Sequence, residues 1–470
     1  MDNNLWILTE ERPKQSVIIK ILKQFAKDYS CSFILNSLQI IPVLDREGNF
    51  TFTYEVIGAV GRSENCFKQI FIKTVSGASS FTDFLVFFQK EEPTIEDKPI
   101  YAIEETKTDD SESRNTGVYQ RCSKFVFIKS FYPYVKKIML YELQVEQKKE
   151  STDTNIFGTR LLLTLGVEIL GKELDPTIFK PFENIDELIR FKQNMRKAPS
   201  GNIPISIHQY GDRIEVSGRL VKSGRLAHDP NIGALSIIAA VLRELKWDKR
   251  IIITHHGLTQ EMVGVRNKFI QIANVWNIEL DNIVIPKTTL PKSYWHYDKE
   301  GEKLGTIFIH ITSENFASAH SIFENHAGCE KGYFITSNGE PIALPKYVNR
   351  DAYKAGDKNQ IYFIPDLVLL DENNETIINI EGKKYEYKQN GINELNNYND
   401  IERDFIRAYY PNYKIERTVV LYGSGVTELM EQEIGFLLNK YGKLILGIQP
   451  PKLFSFAISN LKSFWNGNSK

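Results

Sequence analysis

The sequence predicts a mixed α/β protein, and three observations carry that prediction. Short runs rich in β-branched and aromatic residues alternate with stretches whose apolar residues recur every three or four positions. The chain has 470 residues, enough for about three domains of roughly 150 residues. Its 42% hydrophobic content and net charge of -1 exclude a disordered chain or a uniformly basic coat protein, while leaving room for one basic cleft. The expected organisation is mixed sheets flanked by helices in two outer domains, 1–150 and 331–470, around a mixed α/β middle region, 151–330.

In the first block, Val17, Ile18, Ile21, Leu22 and Phe25 have helical spacing within Ser16 to Tyr29. Three β-rich runs follow, Leu38 to Leu44, Phe50 to Val60 and Phe67 to Thr74. The polar stretch from Gln147 to Asn155 lacks apolar periodicity and marks a boundary. In the middle block, strands are expected at Arg213 to Leu220, Ile251 to Thr254 and Thr306 to Ile311, with helices at Asn231 to Leu245 and Thr259 to Trp276. Asp229 and Pro230 stand where a capping carboxylate and a first-turn proline belong.

In the last block, Asn338 and Gly339 lie between two short apolar runs and signal a hairpin. Strands dominate from Ile361 to Ile380. Ile392, Leu395, Tyr398, Ile401, Phe405, Ile406 and Tyr409 then repeat at three and four residues, and a strand is expected at Thr418 to Tyr422. Cys31, Cys66, Cys122 and Cys329 have no Cys-x-x-Cys spacing and read as buried free thiols. The N-terminus lacks a signal pattern and no apolar run is long enough to span a membrane, so a cytoplasmic chain with no membrane partner is expected.

The chemistry sits in two candidate hairpins. Asp366 begins the apolar run Leu367 to Leu370, and the run Thr376 to Ile380 ends in Glu381, Gly382 and Lys383. A two-residue turn at Asn373 and Asn374 would put Asp366 directly opposite Glu381, with Lys383 on the same strand face. Like charges facing each other repel, so something must neutralise them. A hard divalent cation does so economically: Mg²⁺ takes one or two carboxylates and fills its remaining positions with water and phosphate oxygens.

The first block repeats the pattern with a longer loop. Asp83 precedes an apolar run, and Glu105 and Lys107 end the run that starts at Ile100. An antiparallel register can oppose Asp83 and Glu105. In a regular strand Glu104 points to the other face, which makes it the weaker candidate ligand. A solvated sheet edge explains either pattern alone; the recurrence, with each acid at a strand end, favours two sites.

At these residues the chain resembles type II restriction endonucleases of the PD-(D/E)xK superfamily. Pro365 and Asp366 with Glu381, Gly382 and Lys383 match the full motif; in the first block Thr82 replaces the proline, so only Asp83, Glu105 and Lys107 match. The resemblance covers the outer blocks better than the middle. It implies a restriction-endonuclease-like fold and Mg²⁺-assisted hydrolysis of double-stranded DNA, with Asp83, Glu105, Asp366 and Glu381 carrying metal and Lys107 and Lys383 assisting the nucleophile. Two centres in one chain resemble the minority of such enzymes that cut both strands with unlike nuclease domains.

Arg114, Asn115, Gln120 and Arg121 have side chains suited to base edges, although solvated surface roles fit them equally. Lys384, Lys388, Arg403, Arg407 and Lys414 can follow a phosphate backbone or solvate a helix. The middle histidines His255 and His256 lack a diagnostic ligand spacing. The leading expectation is therefore a site-specific double-strand endonuclease acting as a monomer or a homodimer. Its alternatives are a single-centre nuclease with a DNA-reading domain, and a non-catalytic nucleic-acid-binding protein.

Overall fold

The computed structural model describes residues 2–77, 81–106, 117–141, 152–196, 205–222, 225–226, 229–264, 267–298, 301–326 and 331–468. The chain packs into two units that interleave along the sequence. Met1–Ser76, Phe88–Glu92 and Tyr297–Lys470 form the first; Gly77–Phe87 and Pro93–His296 form the second. Among the described residues no helix is long and apolar enough to cross a membrane.

The first unit opens with β1 (Asn4–Thr9), α1 (Gln15–Tyr29), β2 (Phe33–Leu44), β3 (Phe50–Gly61) and β4 (Ile70–Gly77), ordered β2-β3-β4-β1 in their sheet. Helix α1 buries Val17, Ile18, Ile21, Leu22 and Phe25, the stripe that the spacing predicts. Cys31 and Cys66 are not free thiols but a disulfide, because β3 and the loop after it return Cys66 to the end of α1 with the Cα atoms 5.1 Å apart. Cys122 is a buried free thiol, and Cys329 lies outside the described residues.

In the second unit, β5 (Phe84–Gln89), which begins there, pairs antiparallel with β6 (Tyr101–Thr106). Helix α2 (Gly117–Phe131) then crosses over to β7 (Lys136–Tyr141), parallel to β6, and α3 (Asp153–Thr164) leads to the parallel β8 (Val167–Leu170). After α4 (Ile185–Asn194) comes a smaller layer. It comprises β9 (Ser206–Tyr210), β10 (Arg213–Ser217), α5 (Asp229–Glu244), β11 (Arg250–Thr254), α6 (Lys268–Val275) and β12 (Ile278–Leu280), with sheet order β12-β11-β10-β9.

The first unit resumes with α7 (Lys303–Phe316), β13 (His320–Glu324), the hairpin β14 (Lys331–Ile335) and β15 (Pro341–Pro345), then β16 (Leu367–Asp371) and β17 (Thr376–Lys384). A helical crossover beginning with α8 (Lys388–Glu394) leads to β18 (Lys414–Tyr422), followed by β19 (Ile434–Leu438), β20 (Leu444–Leu446) and α9 (Lys452–Asn468). The sheet order is β13-β16-β17-β18-β19-β20; β16 and β17 are antiparallel, β17 and β18 parallel. Both units thus contain a hairpin, a helical crossover and a third strand parallel to the second.

Three local expectations change. Thr306 to Ile311 is not a strand but lies within α7, every residue of which from Leu304 to Ser313 is buried. A helix buried all round shows no amphipathic stripe, so its short apolar run mimics a strand. The expected helix from Thr259 to Trp276 is a single 3₁₀ turn, Gln260–Met262, followed by α6; Asn267 caps the new helix by accepting from the amides of Phe269 and Ile270. The periodic stretch from Ile392 to Tyr409 divides into short helical pieces that include a π turn, Glu402–Ile406, where buried Glu402 accepts from Asn379 and Arg417, each at 2.7 Å.

Candidate functional site

The hairpin β16–β17 pairs Leu367 with Ile380 and Asp371 with Thr376. Its loop is Glu372 to Glu375, longer than the expected turn but with the same centre, because Asp371 accepts from the Asn374 amide at 3.2 Å and from Asn374 Nδ2 at 2.8 Å. Asp366, one residue before β16, therefore stands at the position facing Glu381. The Gly382 amide donates to Asp366 Oδ2 at 2.9 Å, which fixes that carboxylate against the partner strand.

Lys383 Nζ lies 2.6 Å from Glu381 Oε1 and 3.0 Å from Glu394 Oε2, and the Tyr398 hydroxyl donates to Glu381 Oε2. Glu394 and Tyr398 come from the crossover after β17, so the helical pattern that buries Tyr398 in the core also delivers its hydroxyl to the strand end. Burial pushes the Glu381 carboxyl well up, and the charge of Asp366 and a hydrogen bond with Glu394 push it the same way. Burial also raises Asp366, against the opposing pull of the Gly382 amide and Lys383. The Lys383 ammonium is disfavoured by burial, but Glu381 and Glu394 more than offset this and raise its pKa.

Helix α7 closes the back of this site. A Cβ on Gly382 would stand 2.2 Å from Thr306 Oγ1 and 3.0 Å from Asp366 Oδ2, and one on Gly305 would stand 2.6 Å from the Leu421 carbonyl. The glycine between Glu381 and Lys383 is thus a packing requirement. Thr306 Oγ1 is buried without a hydrogen-bond partner. A buried and a half-buried carboxylate with raised pKa values, the latter amide-anchored, beside an unpartnered hydroxyl fit a divalent cation that brings water and phosphate oxygens.

The first hairpin follows the same plan with the register moved by one residue. Phe84 pairs with Ile103, so Glu104, and not the expected Glu105, occupies the position facing Asp83. The Glu105 amide donates to Asp83 Oδ2 at 2.7 Å, as Gly382 does to Asp366. Lys124, from α2, places Nζ 2.7 Å from Glu104 Oε1 and 3.3 Å from Asp83 Oδ1. Burial raises the Glu104 pKa to about 8, with a further push from Asp83 and an opposing pull from Lys124 and Arg121. Burial opposes the Lys124 ammonium, but Glu104 and Asp83 outweigh it and raise its pKa. Sequence reasoning ranked Glu104 below Glu105 because the long loop leaves the register undetermined, and missed Lys124 because it lies on the following helix.

Lys107, Arg114 and Asn115 lie outside the described residues. Gln120 is exposed on α2, whereas Arg121 turns inward, with Nε 3.3 Å from the Glu105 carbonyl and 3.7 Å from Glu104 Oε1. Of the candidate backbone-following cations, Lys388 pairs with Glu431, Arg403 with Asp400 and Asp404, and Lys414 with Glu416. Lys384 instead lines a cleft of about 370 Å³ together with Tyr385, Ser424 and Lys440, next in sequence to Lys383. His256 is structural: its Nδ1 accepts from the Leu258 amide and its Nε2 donates to the Asp281 carbonyl, each at 2.9 Å.

A further cluster joins His310, Glu324 and His326 with Glu314. Arg12 bonds both Glu314 Oε2, at 3.1 Å, and Glu324 Oε2, at 2.8 Å, and Lys14 reaches Glu324 Oε1 at 2.8 Å. Against burial, His310 and Arg12 hold Glu314 down at about 2, and Arg12 and Lys14 hold Glu324 well below the carboxylate range. Two cations thus already balance two anions, which makes this an internal ion-pair network. No family model, curated protein or solved structure matches the chain.

Proposed function

We propose that the chain is a Mg²⁺-dependent, site-specific double-stranded DNA endonuclease of the PD-(D/E)xK type. The observation that carries this reading is the convergence of Asp366, Glu381 and Lys383 at one buried strand end, with the two acids opposed across a hairpin and the lysine on Glu381.

Asp366 and Glu381 would hold the ion, and the Gly382 carbonyl, next in sequence after Glu381, would offer a further oxygen. A divalent cation bound there supplies a water of lowered pKa and neutralises phosphate charge. The residues do the rest. The Gly382 amide keeps Asp366 from swinging away. Tyr398 and Lys383 fix the two oxygens of Glu381. Lys383 keeps its proton and so acts as a charge that orients the attacking water and the phosphate. Lys384, next in sequence to Lys383, and Lys440 line one cleft and would offer ammonium groups to neighbouring phosphates.

Incubation of the purified chain with unmethylated phage DNA and Mg²⁺ tests the reading. Discrete fragments, absent with Glu381→Gln or without Mg²⁺, support it. Intact DNA across a panel of unmethylated genomes overturns it.

A further inference from the structure

The end of β17 carries a second feature besides the cleavage centre. Strands β17 and β18 run parallel and pair Lys384 with Tyr422 at their carboxyl ends, the edge of an α/β sheet at which ligands bind. Consecutive side chains leave a strand on opposite faces, so Lys383 and Lys384 divide there, one toward Glu381 and the other into the cleft of about 370 Å³. That volume falls within the roughly 300–1,000 Å³ of small-molecule sites, whereas contact with a phosphate alone needs no cavity.

The walls are fixed by the protein itself. Gly423 and Ser424 turn the chain out of β18 with φ of 92° and 69°, and Ser424 Oγ accepts from the Val426 amide at 3.0 Å. The Ser424 carbonyl accepts from the Lys440 amide at 3.2 Å, and the Gly423 amide donates to the Leu438 carbonyl at 3.1 Å. Asn439, 2% exposed, donates to the Val426 carbonyl at 3.1 Å and accepts from the Tyr441 amide at 2.6 Å, so the loop after β18 and the β19–β20 hairpin hold each other. On the other wall Lys388, itself paired with Glu431, stands 5.3 Å from the centre of the Tyr385 ring.

The charges are not those of a phosphate site alone. In the Arg12 network cations and anions bond one another; here Lys384, Lys440 and Glu386 line one cleft, and among the described residues none of the three has an ion pair. Two ammonium groups suit a phosphate. A carboxylate repels a phosphate but accepts from the amino group of cytosine, adenine or guanine. Half-buried Tyr385 and buried Tyr422 add aromatic surface on which a base stacks, and the Ser424 hydroxyl keeps its proton to donate. A base reaches such a cleft only by leaving the helical stack.

We infer that the cleft takes one nucleotide turned out of the duplex, an assignment that rests on the nuclease reading above. Lys384 and Lys440 hold its phosphate, Tyr385 stacks on its base, and Glu386 selects a base that carries an exocyclic amino group. Glu386 is thereby a specificity-determining residue with no part in the cleavage chemistry.

Two measurements on the full chain test this. In the first, saturation-transfer NMR follows dAMP, dCMP, dGMP, dTMP and inorganic phosphate. At least one amino-bearing nucleotide should show saturation of its base protons and bind at least about 5-fold more tightly than dTMP, which lacks the amino group. Glu386→Ala should remove that preference, Tyr385→Leu should weaken every nucleotide but not phosphate, and Lys440→Gln should weaken nucleotides and phosphate alike; melting temperatures report that each variant folds. In the second, a Glu381→Gln chain is titrated with the duplex whose cleavage has been mapped, with an abasic site placed opposite each base in turn. Loss of the partner base removes part of the cost of extrusion, so one position, held by an amino-bearing base, should bind at least about 10-fold more tightly, and Tyr385→Leu should cancel the gain. No preference over dTMP, no base-proton saturation or no tightened position overturns the inference and leaves the cleft a phosphate contact. DNA left intact by wild type, with selective mononucleotide binding retained, sinks the nuclease reading instead and leaves the ligand class of the cleft standing.

Discussion

Thr306 and Gly382 interlock: a Cβ at Gly382 would stand 2.2 Å from Thr306 Oγ1, so only hydrogen fits where α7 crosses the end of β17. The contact ties the depth of a buried helix to the position of the Asp366 and Glu381 carboxylates. Gly382→Ala should therefore destabilise the chain by about 1–3 kcal/mol, the usual cost of overpacking, and abolish cleavage by displacing Asp366, whose Oδ2 is the next atom at 3.0 Å. Thr306→Ala removes the clashing oxygen and keeps a Cβ at an ordinary 3.5 Å. It should recover most of the lost stability in the double variant. Urea melts of the four chains in a double-mutant cycle measure this coupling; additive costs would mean that the two residues do not meet as described.

The hydroxyl of Tyr398 donates to Glu381 Oε2, while its ring packs in the core. Tyr398→Phe keeps the ring and removes the donor. A hydrogen bond to an ionised group is worth about 1.5–3 kcal/mol, so kcat should fall roughly 10- to 100-fold with KM little changed. Single-turnover cleavage at saturating DNA separates the two. A rise in KM alone would place Tyr398 in DNA binding instead.

How far the sequence reached depends on what fixed each register. Asp366 and Glu381 were legible because a short loop ties two apolar runs together, and whether that loop has two residues or four, its centre does not move. Asp83 and its partner were not, because the loop between Gln89 and Tyr101 imposes no register; packing decides it, and one residue of slip exchanged Glu105 for Glu104. Tyr398, Lys124 and Thr306 were illegible as site residues for a different reason. Lys124 and Thr306 arrive on helices and Tyr398 on a turn between helical pieces of the crossover, and a three- or four-residue period reveals which face is buried but not which side chain reaches the site. The helix α7 is the extreme case, since its uniform burial concealed even its secondary structure.

The network around Arg12 makes a prediction about pH. Glu314 and Glu324 are held below their ordinary pKa, so the stability they contribute is fully present above about pH 4.5 and is lost as pH falls through their folded values, about 2 for Glu314. Arg12→Met leaves two largely buried carboxylates facing His310 with one counter-ion fewer. Breaking such a pair costs about 3–5 kcal/mol, and because Glu314 and Glu324 are partly open to solvent the lower end is expected at pH 7. The deficit should shrink steadily below about pH 4.5 as the carboxylates protonate in the variant. Urea melts of both chains from pH 7 to pH 3 measure it. A deficit that is constant with pH would assign the effect to lost packing rather than charge.

The last prediction concerns which cations meet DNA. Lys414 already lies 2.7 Å from Glu416, whereas Lys384, next in sequence to Lys383, lines a cleft with Lys440 and has no ion pair within 4.0 Å among the described residues. A lysine that touches a phosphate releases condensed counter-ions, and each such contact adds about 0.9 to the slope of log K against log salt for duplex DNA. In a Glu381→Gln chain, which should bind without cutting, Lys384→Gln should lower that slope by about 1 and weaken matched and unmatched duplexes alike. Lys414→Gln should leave the slope unchanged, because its ammonium is engaged within the protein. Fluorescence anisotropy titrations from low to moderate salt distinguish the two. Equal slopes for all three chains would remove Lys384 from the DNA path, and a loss confined to one duplex would mean that it reads bases rather than backbone.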